Sequence, residues 1–338
     1  MAILMGIRSG ALGPIDSRYI DATKDHWEIC KVNSRNVPIL ITAFNRPEKL
    51  KSVVDALVGI ENEIFFWFDG PRVGTNDKRQ IDLSVEIAES STLNISGIVQ
   101  NLDNVGTNSV ATGISWILQK FDSVIVIEED VMVSHAFISF AEEMLEKYEA
   151  DFRIGSITSM NLVPASSISE PNDPYRFSSF FYAWGWATWA NRWNKMPDVT
   201  SHWDYSKIHW PKTARNKLSQ SRWLTGMNAV RDGSEPGLWD YRWIYSYWVN
   251  SWLTIVPNSN LGTNIGFDDD ATHTRKRPSW VPEELSKSMT DSTRKKEIKV
   301  AQDVKADRWA AKNVHSSSFL VVLKTKIKKC LNQTLLKA

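Results

Sequence analysis

Three consecutive carboxylates, Glu128, Glu129 and Asp130, follow directly on an apolar run at residues 124–127. The run has no polar alternation, which predicts a strand buried on both faces of a sheet. Adjacent negative charges repel one another unless a cation lies among them, and carboxylate oxygens suit hard ions such as Mn2+ or Mg2+, whose coordination a diphosphate can complete. A solvated acidic turn is the alternative, but the buried strand and the helix cap predicted at Ser134 favour a metal site.

Two more polar residues follow predicted strands in the same half of the chain. Arg46 comes after the apolar run at residues 37–44, and Asp69 comes after residues 64–68. Ligands of open α/β sheets bind at the carboxyl ends of the strands. Arg46 could therefore oppose a phosphate, and Asp69 could accept hydrogen bonds from a nucleobase or a ribose. Each residue also fits an ordinary turn, since Asp-Gly-Pro is a common turn sequence.

A further carboxylate, Asp240, stands between two aromatic residues at the head of a predicted helix. It could be the N-cap of that helix. It could also be a general base, because partial burial against an indole raises the pKa of a carboxylate and brings it into the useful range. Asp268, Asp269 and Asp270 compete with Asp240 for this role.

Alternating strands and helices are predicted to position these residues. Four short apolar runs are expected to be strands: residues 37–44, 64–68, 93–99 and 124–127. Amphipathic stretches follow each of them, the first beginning at Pro47. This alternation is typical of βαβ units and predicts an α/β fold with a mostly parallel central sheet flanked by helices.

The pattern is less regular beyond residue 154. Candidate strands lie at residues 154–160, 177–182 and 253–256, and the longest helical candidate spans residues 240–252. Eleven of the 16 tryptophans lie between Trp184 and Trp252. They could form a satellite core beneath long loops, or a surface on which sugars stack. As a cluster, they favour carbohydrate binding.

Composition excludes several classes of protein. Apolar residues make up 42% and charged residues 23% of the 338 positions, as in an ordinary globular protein. The net charge of +1 gives no general attraction for nucleic acid. Cys30 and Cys330 match neither a disulfide framework nor a zinc pattern, so both are expected to be thiols in a reducing cytoplasm. No segment has the length of a transmembrane helix or the form of a signal peptide.

The last 20 residues, 319–338, contain five lysines and no acidic residue. Leucines and an isoleucine recur there at helical spacing, which predicts a basic amphipathic helix. Such a helix could lie on the anionic inner face of the plasma membrane or pack on the domain as a solvated tail, and we favour the membrane.

Several blocks in the same order resemble one family. Residues 42–47 read Thr-Ala-Phe-Asn-Arg-Pro, residues 126–130 read Val-Ile-Glu-Glu-Asp, residues 181–189 read Phe-Tyr-Ala-Trp-Gly-Trp-Ala-Thr-Trp, and Trp239 precedes Asp240. Over roughly residues 36–274 the sequence is similar to GT-A glycosyltransferases, chiefly bacterial relatives of N-acetylglucosaminyltransferase I and family 2-like enzymes.

The resemblance implies roles for individual residues. Asp130 would bind manganese and the diphosphate, Glu128 and Glu129 would lie beside the donor's ribose and sugar, and Arg46 and Asp69 would hold the nucleotide. Asp240 matches the catalytic base of an inverting transfer. The sugar and acceptor pocket would be shaped by a loop and the residue before that base: Trp184, Gly185, Trp186, Trp189 and Trp239. One position departs from the family, because Glu129 replaces the middle aspartate of the usual Glu-Asp-Asp and so moves the carboxylate that would meet the ribose.

The resemblance also implies a Rossmann-like nucleotide-diphospho-sugar transferase domain at residues 36–275. Its nucleotide-sugar half would be residues 36–150 and its acceptor half residues 151–275, between an extension at 1–35 and a helical extension at 276–338. The expected cofactor is Mn2+ or Mg2+. The expected partners are a UDP-sugar donor and a glycan or glycolipid acceptor, in the synthesis of a bacterial surface polysaccharide or glycoconjugate.

Two other functions use some of the same features. A sugar-1-phosphate nucleotidyltransferase would need a Gly-rich phosphate loop after its first strand, where this sequence has Phe-Asn-Arg-Pro at residues 44–47. A non-catalytic lectin would account for the tryptophans but not for the acidic strand end.

Overall fold

The computed structural model describes residues 15–16, 37–198, 203–235, 237–267, 276–282, 284–289 and 297–315. The strands are β1 (Ile15–Asp16), β2 (Ile39–Ala43), β3 (Ile64–Phe68), β4 (Ile95–Asn101), β5 (Ser123–Glu128), β6 (Val131–Val133), β7 (Ile154–Thr158), β8 (Tyr175–Ser178), β9 (Trp186–Trp189), β10 (Leu253–Pro257) and β11 (Gly262–Asn264). The α-helices are α1 (Pro47–Ala56), α2 (Asp77–Glu89), α3 (Asn108–Ile117), α4 (His135–Lys147), α5 (Ala190–Trp193), α6 (Lys217–Arg231), α7 (Trp239–Val249) and α8 (Val304–Asn313).

In the described part of the chain, nine strands form one sheet in the order β1-β4-β3-β2-β5-β9-β7-β10-β8. β2 pairs in parallel with β3 and β5, β3 with β4, and β7 with β10. β9 lies between β5 and β7 and is antiparallel to both. Six of the nine strands therefore share one direction, namely β2, β3, β4, β5, β7 and β10. The predicted α/β class with a mostly parallel central sheet is confirmed.

Helices cover both faces of this sheet. Alternate residues of β2 point to opposite sides, so that Leu40 packs on one core and Ile39 and Ile41 pack on the other. Helices α1, α2 and α4 bury their apolar residues on the Ile39 side, and α3, α6, α7 and α8 bury theirs on the Leu40 side. This two-layered cover leaves the carboxyl ends of the parallel strands as the open edge of the sheet.

The tryptophan-rich region forms most of the core on the Leu40 side. Trp186 and Trp239 stack at 16° with ring centroids 5.9 Å apart. Trp193 and Trp243 pack against this pair at 5.8 to 6.1 Å and against each other at 5.1 Å. Large flat side chains at these distances fill a broad core without a regular helical or strand pattern. The clustering of tryptophans thus has a structural cause, which is the satellite core that the sequence allowed as an alternative.

Several elements match the sequence expectations and others differ. β3 and α2 have the predicted bounds, and α1 begins at Pro47. The predicted longest helix of the second half is wrong, since α7 ends at Val249 with 11 residues whereas α6 has 15. The pattern of α6 is weak because it buries only Trp223, Met227 and Val230. β6 and β9 were not predicted from the sequence.

Ser134 is the N-cap residue of α4, as predicted, but its side chain makes no capping hydrogen bond. Its hydroxyl donates instead to the carbonyl of Leu261 at 3.4 Å. That contact joins the start of α4 to the strand β11, which pairs with β6. The residue therefore ties two distant segments together near the acidic strand end.

Some predictions fall outside the described residues: the amphipathic helix at 319–338, the aspartates at 268–270, and residues 1–35 apart from β1. No helix in the described ranges has both the length and the apolar character needed to cross a membrane.

Candidate active site

An open cleft of about 940 Å3 lies at the carboxyl ends of β2, β3 and β5. Its walls come from the segment after β2, the residue after β3, the loop between β4 and α3, and the end of β5. The lining residues include Arg46, Asp69, Asn104, Thr107, Glu128 and Glu129. This size and position suit an extended small-molecule ligand, since open α/β sheets bind ligands at this edge.

Arg46 joins two of the three consecutive carboxylates. Its Nε donates to Glu129 Oε1 at 2.7 Å, and its Nη1 lies 2.9 Å from Asp130 Oδ2. The other oxygen of Glu129 accepts the backbone N–H of Phe44 at 2.8 Å. Burial lowers the pKa of Arg46, but the charges of Asp130 and Glu129 together outweigh burial and raise it. The guanidinium therefore stays charged and partly neutralises this strand end.

Glu128 ends β5 and faces the cleft. Burial raises its pKa to about 8, and the neighbouring charge of Asp130 adds to this effect. Arg46 opposes the shift, whereas Glu129 and Asp240 reinforce it. At this strand end the carboxylates thus outnumber the one guanidinium that pairs with them.

The residues at this edge fit a divalent cation. In the described ranges no group of three or more His, Cys, Asp or Glu side chains is arranged to hold a metal. Ions such as Mg2+ commonly bind through one or two protein carboxylates together with substrate phosphates. Asp130 and Glu128 offer hard oxygens at a strand end where several carboxylates lie close together, so they could hold such an ion once a diphosphate supplies the remaining ligands.

Asp69 lies at the base of the cleft, where it holds the loop between β4 and α3. Its Oδ1 accepts from the backbone N–H groups of Gly70 and Val105 at 2.9 and 3.0 Å, and from Asn101 Nδ2 at 3.3 Å. Its Oδ2 accepts from Asn104 Nδ2 and from the N–H of Gly106, both at 2.9 Å. Burial raises the pKa of Asp69, and these donors oppose that rise.

The carboxylate of Asp69 is only 4% exposed. With five protein donors around its two oxygens, it shapes the cleft wall by fixing the loop. The sequence suggested a direct contact with a nucleobase or ribose. In the structure the carboxylate is bonded to the protein, and Asp69 also lines the cleft beside Asn104, so the direct contact with the nucleotide stays a prediction.

Asp240 is the second residue of α7, so it lies inside the first turn and is not the N-cap, which is Leu238. The head of α7 is held next to the cleft because Thr107 Oγ1 donates to the carbonyl of Gly237 at 2.7 Å. Asp240 is half-buried, and its charge contributes to the raised pKa of Glu128. The helix start thus brings this carboxylate within electrostatic reach of the acidic strand end.

Two residues that sequence reasoning missed lie on the other side of Asp130. A Cβ built on Gly266 would come 2.1 Å from Asp130 Oδ2, so only glycine allows this approach. Lys49 Nζ donates to the carbonyl of Ile265 at 2.9 Å, which fixes the same segment against α1. Sequence reasoning missed Gly266 because the pairing of β11 with β6, and the hydrogen bond from the N–H of Ile265 to the carbonyl of Asp130, bring this distant segment to the edge.

Of the residues expected to shape a sugar pocket, Trp184 and Gly185 lie at the same edge. Gly185 has φ +63, and a Cβ there would come 2.7 Å from Ser159 Oγ and from Val133 Cγ1. Ser159 Oγ donates to the carbonyl of Trp184 at 2.9 Å. This tight turn presents the half-buried indole of Trp184 next to the segment that carries Gly266.

The other three tryptophans of that group are buried. Trp186 is 0%, Trp189 is 3% and Trp239 is 6% exposed. Trp186 and Trp189 belong to β9 and not to a loop, and the indole of Trp189 donates to the carbonyl of Leu145 at 3.2 Å on the opposite face of the sheet. These rings lie in the core and do not line an open pocket in this structure.

Comparison with known proteins finds no matching family model and no matching curated protein. Similar solved structures include the mannosyltransferase PcManGT from Pyrobaculum calidifontis, solved in complex with GDP-Man and Mn2+. The identity is 13%, the TM-score is 0.30, and the match covers 45% of this chain and 44% of the mannosyltransferase. This chain therefore spans less than half the length of that protein.

Proposed function

We propose that this protein is a metal-dependent glycosyltransferase that moves a sugar from a nucleotide-diphosphate sugar to a carbohydrate hydroxyl with inversion. The observation that carries the proposal is the acidic end of β5, where Arg46 pairs with Glu129 and Asp130 and where Glu128 lines a large cleft at the carboxyl edge of the sheet. The ordered blocks that resemble GT-A enzymes support the same function.

The donor would lie along this edge. Its nucleotide would occupy the cleft between Arg46 and the loop that Asp69 holds, and its diphosphate would reach Asp130. The combined positive charge of Arg46 and a bound cation suits a diphosphate, whereas neither suits a neutral ligand. We propose a UDP-sugar as the donor and Mn2+ or Mg2+ as the ion.

Asp130 would hold the ion, with Glu128 beside it. A bound divalent ion supplies Lewis acid stabilisation of the negative charge that develops on the leaving diphosphate. Arg46 remains charged at every working pH, so it can stabilise the same oxygens without a change of protonation.

Asp240 would act as the base. Its carboxylate takes the proton of the acceptor hydroxyl, the hydroxyl oxygen forms a bond to the anomeric carbon, and the bond from that carbon to the diphosphate oxygen breaks with its electron pair. A base positioned in this way contributes about 10²–10⁴-fold to the rate. The residues at 268–270 are the alternative source of this base.

The wider context is proposed on the resemblance and, for the membrane, on the basic amphipathic pattern of residues 319–338. The acceptor would be a glycan or glycolipid of a bacterial surface polysaccharide or glycoconjugate. The enzyme would work in the cytoplasm, with residues 319–338 against the inner face of the plasma membrane.

The test separates donor binding from transfer. Thermal shift with a panel of nucleotide sugars and Mn2+ identifies the donor, and release of nucleoside diphosphate from that donor measures slow hydrolysis. Asp130→Ala should abolish the Mn2+-dependent shift, and Gly266→Ala should weaken it because the new methyl group displaces the Asp130 carboxylate. Asp240→Asn should keep the shift and lose transfer.

Equal loss of donor affinity in the Asp130 and Asp240 variants would contradict this division of roles. A lectin would release no nucleoside diphosphate. A nucleotidyltransferase would instead convert the donor and pyrophosphate into a nucleoside triphosphate and a sugar 1-phosphate.

A further inference from the structure

Three half-buried aromatic side chains lie together next to the segment that carries Gly266, and we call them the aromatic platform: Trp184, Phe267 and Trp280. Trp184 and Trp280 are nearly parallel, at 14°, with ring centroids 6.0 Å apart. Phe267 meets Trp184 edge-on at 80° and 5.8 Å. At 6.0 Å, the two indoles are displaced sideways and do not fully cover each other's faces.

The segment that carries Trp280 is fixed to the body of the domain. Arg277 donates to Thr263 Oγ1 at 3.2 Å and also to the carbonyl of Pro282, and Thr263 Oγ1 donates to the same carbonyl at 3.3 Å. Val281, next to Trp280, is 4% exposed and belongs to the core. Because Val281 is buried and the turn is held by these hydrogen bonds, Trp280 is fixed in place at the surface.

The platform continues the cleft past Asp130. Phe267 follows Gly266, which lies against the Asp130 carboxylate. Trp184 precedes Gly185 at the start of β9, and β9 is the next strand after β5 in the sheet. Along the carboxyl edge the order is therefore Asp69 after β3, Arg46 after β2, Glu128 on β5 and then Trp184 before β9. Three strand steps separate the first and last, about 14 Å.

We propose that the aromatic platform binds the acceptor, and that the acceptor is a glycoside whose terminal pyranose stacks on Trp184, Phe267 and Trp280. This rests on the proposed function and adds the residues that bind the acceptor and the part of the acceptor that they contact. The nucleotide side of the edge ends at Arg46, so a ligand beyond Asp130 approaches the anomeric carbon from the side opposite the diphosphate.

The chemistry of the platform selects this ligand. A pyranose has a face of C–H groups and a rim of hydroxyls, so it can place its apolar face on a flat ring while its hydroxyls remain in water or reach Asp240. If the acceptor were instead a serine or threonine side chain, it would be too small to cover the platform. Trp184 and Phe267 lie within the stretch that resembles the glycosyltransferase family and Trp280 lies beyond it, so the C-terminal part of the chain adds one ring to this subsite.

The test measures binding of simple methyl glycosides to the full chain, with Mn2+ and the nucleoside diphosphate of the identified donor present. The probes are methyl β-glucoside, methyl β-galactoside, methyl α-mannoside and methyl N-acetyl-β-glucosaminide. Their binding is detected by saturation-transfer NMR, and their dissociation constants are measured by titration. The variants are Trp280→Ala, the conservative Trp280→Phe, and the matched control Trp116→Ala, which removes a half-buried indole from α3.

At least one glycoside should bind the unaltered protein and receive saturation chiefly on the C–H groups of one ring face. Trp280→Ala should raise its dissociation constant about 3- to 10-fold. Trp280→Phe should restore most of the affinity, and Trp116→Ala should have no effect. Hydrolysis of the donor without acceptor should be unchanged in Trp116→Ala.

Absence of binding by every glycoside, or equal affinity in Trp280→Ala and the unaltered protein, would overturn the platform as the acceptor site. Equal loss in the Trp116 control would also overturn it, since the effect would then be one of general stability. If the unaltered protein does not hydrolyse any nucleotide sugar, the proposed function fails; if it does, and glycosides do not bind, only the platform fails.

Discussion

Replacement of Asp69 by asparagine tests whether this carboxylate holds the cleft wall or contacts the nucleotide directly. Asparagine has nearly the same shape, but one of its two acceptor oxygens becomes an NH2 group. If the Oδ2 position changes, Asn104 Nδ2 and the N–H of Gly106 lose their acceptor, and if Oδ1 changes, three donors lose theirs. In either orientation, the NH2 group of the asparagine will therefore lie opposite at least two other hydrogen-bond donors.

The size of the effect follows from these contacts. A hydrogen bond to a charged acceptor contributes about 1.5–3 kcal/mol, so two lost bonds cost about 3–6 kcal/mol. Because burial disfavours the ionised form and raises the pKa of Asp69, the neutral amide is easier to bury, which offsets part of the free energy lost with these two hydrogen bonds. We expect a net loss of about 2–4 kcal/mol, which in a domain of this size lowers Tm by about 3–8 °C.

The assay compares Tm and the dissociation constant of the nucleoside diphosphate in the same preparations. Asp69→Asn should lower Tm and weaken nucleotide binding about 3- to 10-fold, because the wall of the cleft is loosened and not removed. The matched control is Asp303→Asn. Asp303 is also buried and accepts from Ser169 and from the N–H groups of Lys305 and Ala306, far along the sheet from the cleft.

The control variant should lose stability and keep its nucleotide affinity. An Asp69→Asn variant with unchanged Tm and nucleotide binding weakened by more than about 10-fold would refute the reasoning, since that pattern belongs to a carboxylate that touches the ligand itself.

Three further perturbations have defined outcomes. Asp307→Ala should lower the free energy of unfolding in urea by about 3–5 kcal/mol, because this carboxylate accepts three hydrogen bonds that attach α8 to β8 and the residue after it, and a fourth from Gln302. Arg46→Gln should lower Tm in buffer but show a larger Mn2+-induced rise than the unaltered protein, because the ion then neutralises the carboxylates that the guanidinium had paired. Burial and Arg222 lower the pKa of His315 from 6.5 to about 3. The stability that the neutral imidazole contributes is therefore complete above pH 6.5 and is lost as the pH falls, and we expect about 1–2 kcal/mol to be lost by about pH 5. His315→Phe should reduce the slope of the free energy of unfolding against pH.

Each of these has a contrary result. Unchanged urea midpoints would show that the Asp307 contacts do not stabilise the docked helix. An equal Mn2+ effect with and without Arg46 would show that the ion binds elsewhere. A pH slope that persists in His315→Phe would assign the acid sensitivity to other groups.

The elements that were predicted correctly are those whose hydrophobic pattern is complete within a short stretch of sequence. β3 and α2 have their expected bounds because a five-residue apolar run and a 13-residue amphipathic stretch are each self-contained. β9 escaped prediction because its strand conformation depends on pairing with β5 and β7, which lie dozens of residues earlier. Its sequence, Trp-Ala-Thr-Trp, carries no signal of that pairing.

The candidate site shows the same division. The acidic triplet and Arg46 could be found from their place after apolar strands, and the structure brings them together. The environment of Asp69 could not, because its donors come from a loop more than 30 residues later. Likewise, an indole looks the same in a sequence whether it is buried, as Trp186 is, or half-exposed, as Trp184 is.

The insertion of β9 between β5 and β7 limits how this molecule can move. One uninterrupted hydrogen-bonded ladder crosses residue 150, so the proposed donor and acceptor halves cannot swing apart about a hinge without breaking it. Enclosure of a substrate must then come from surface segments at the carboxyl edge. For the same reason, a fragment that ends at residue 150 would expose unpaired backbone N–H and C=O groups along β5. Such an edge pairs with other chains, so we expect the fragment to aggregate unless the rest of the chain is added as a separate polypeptide.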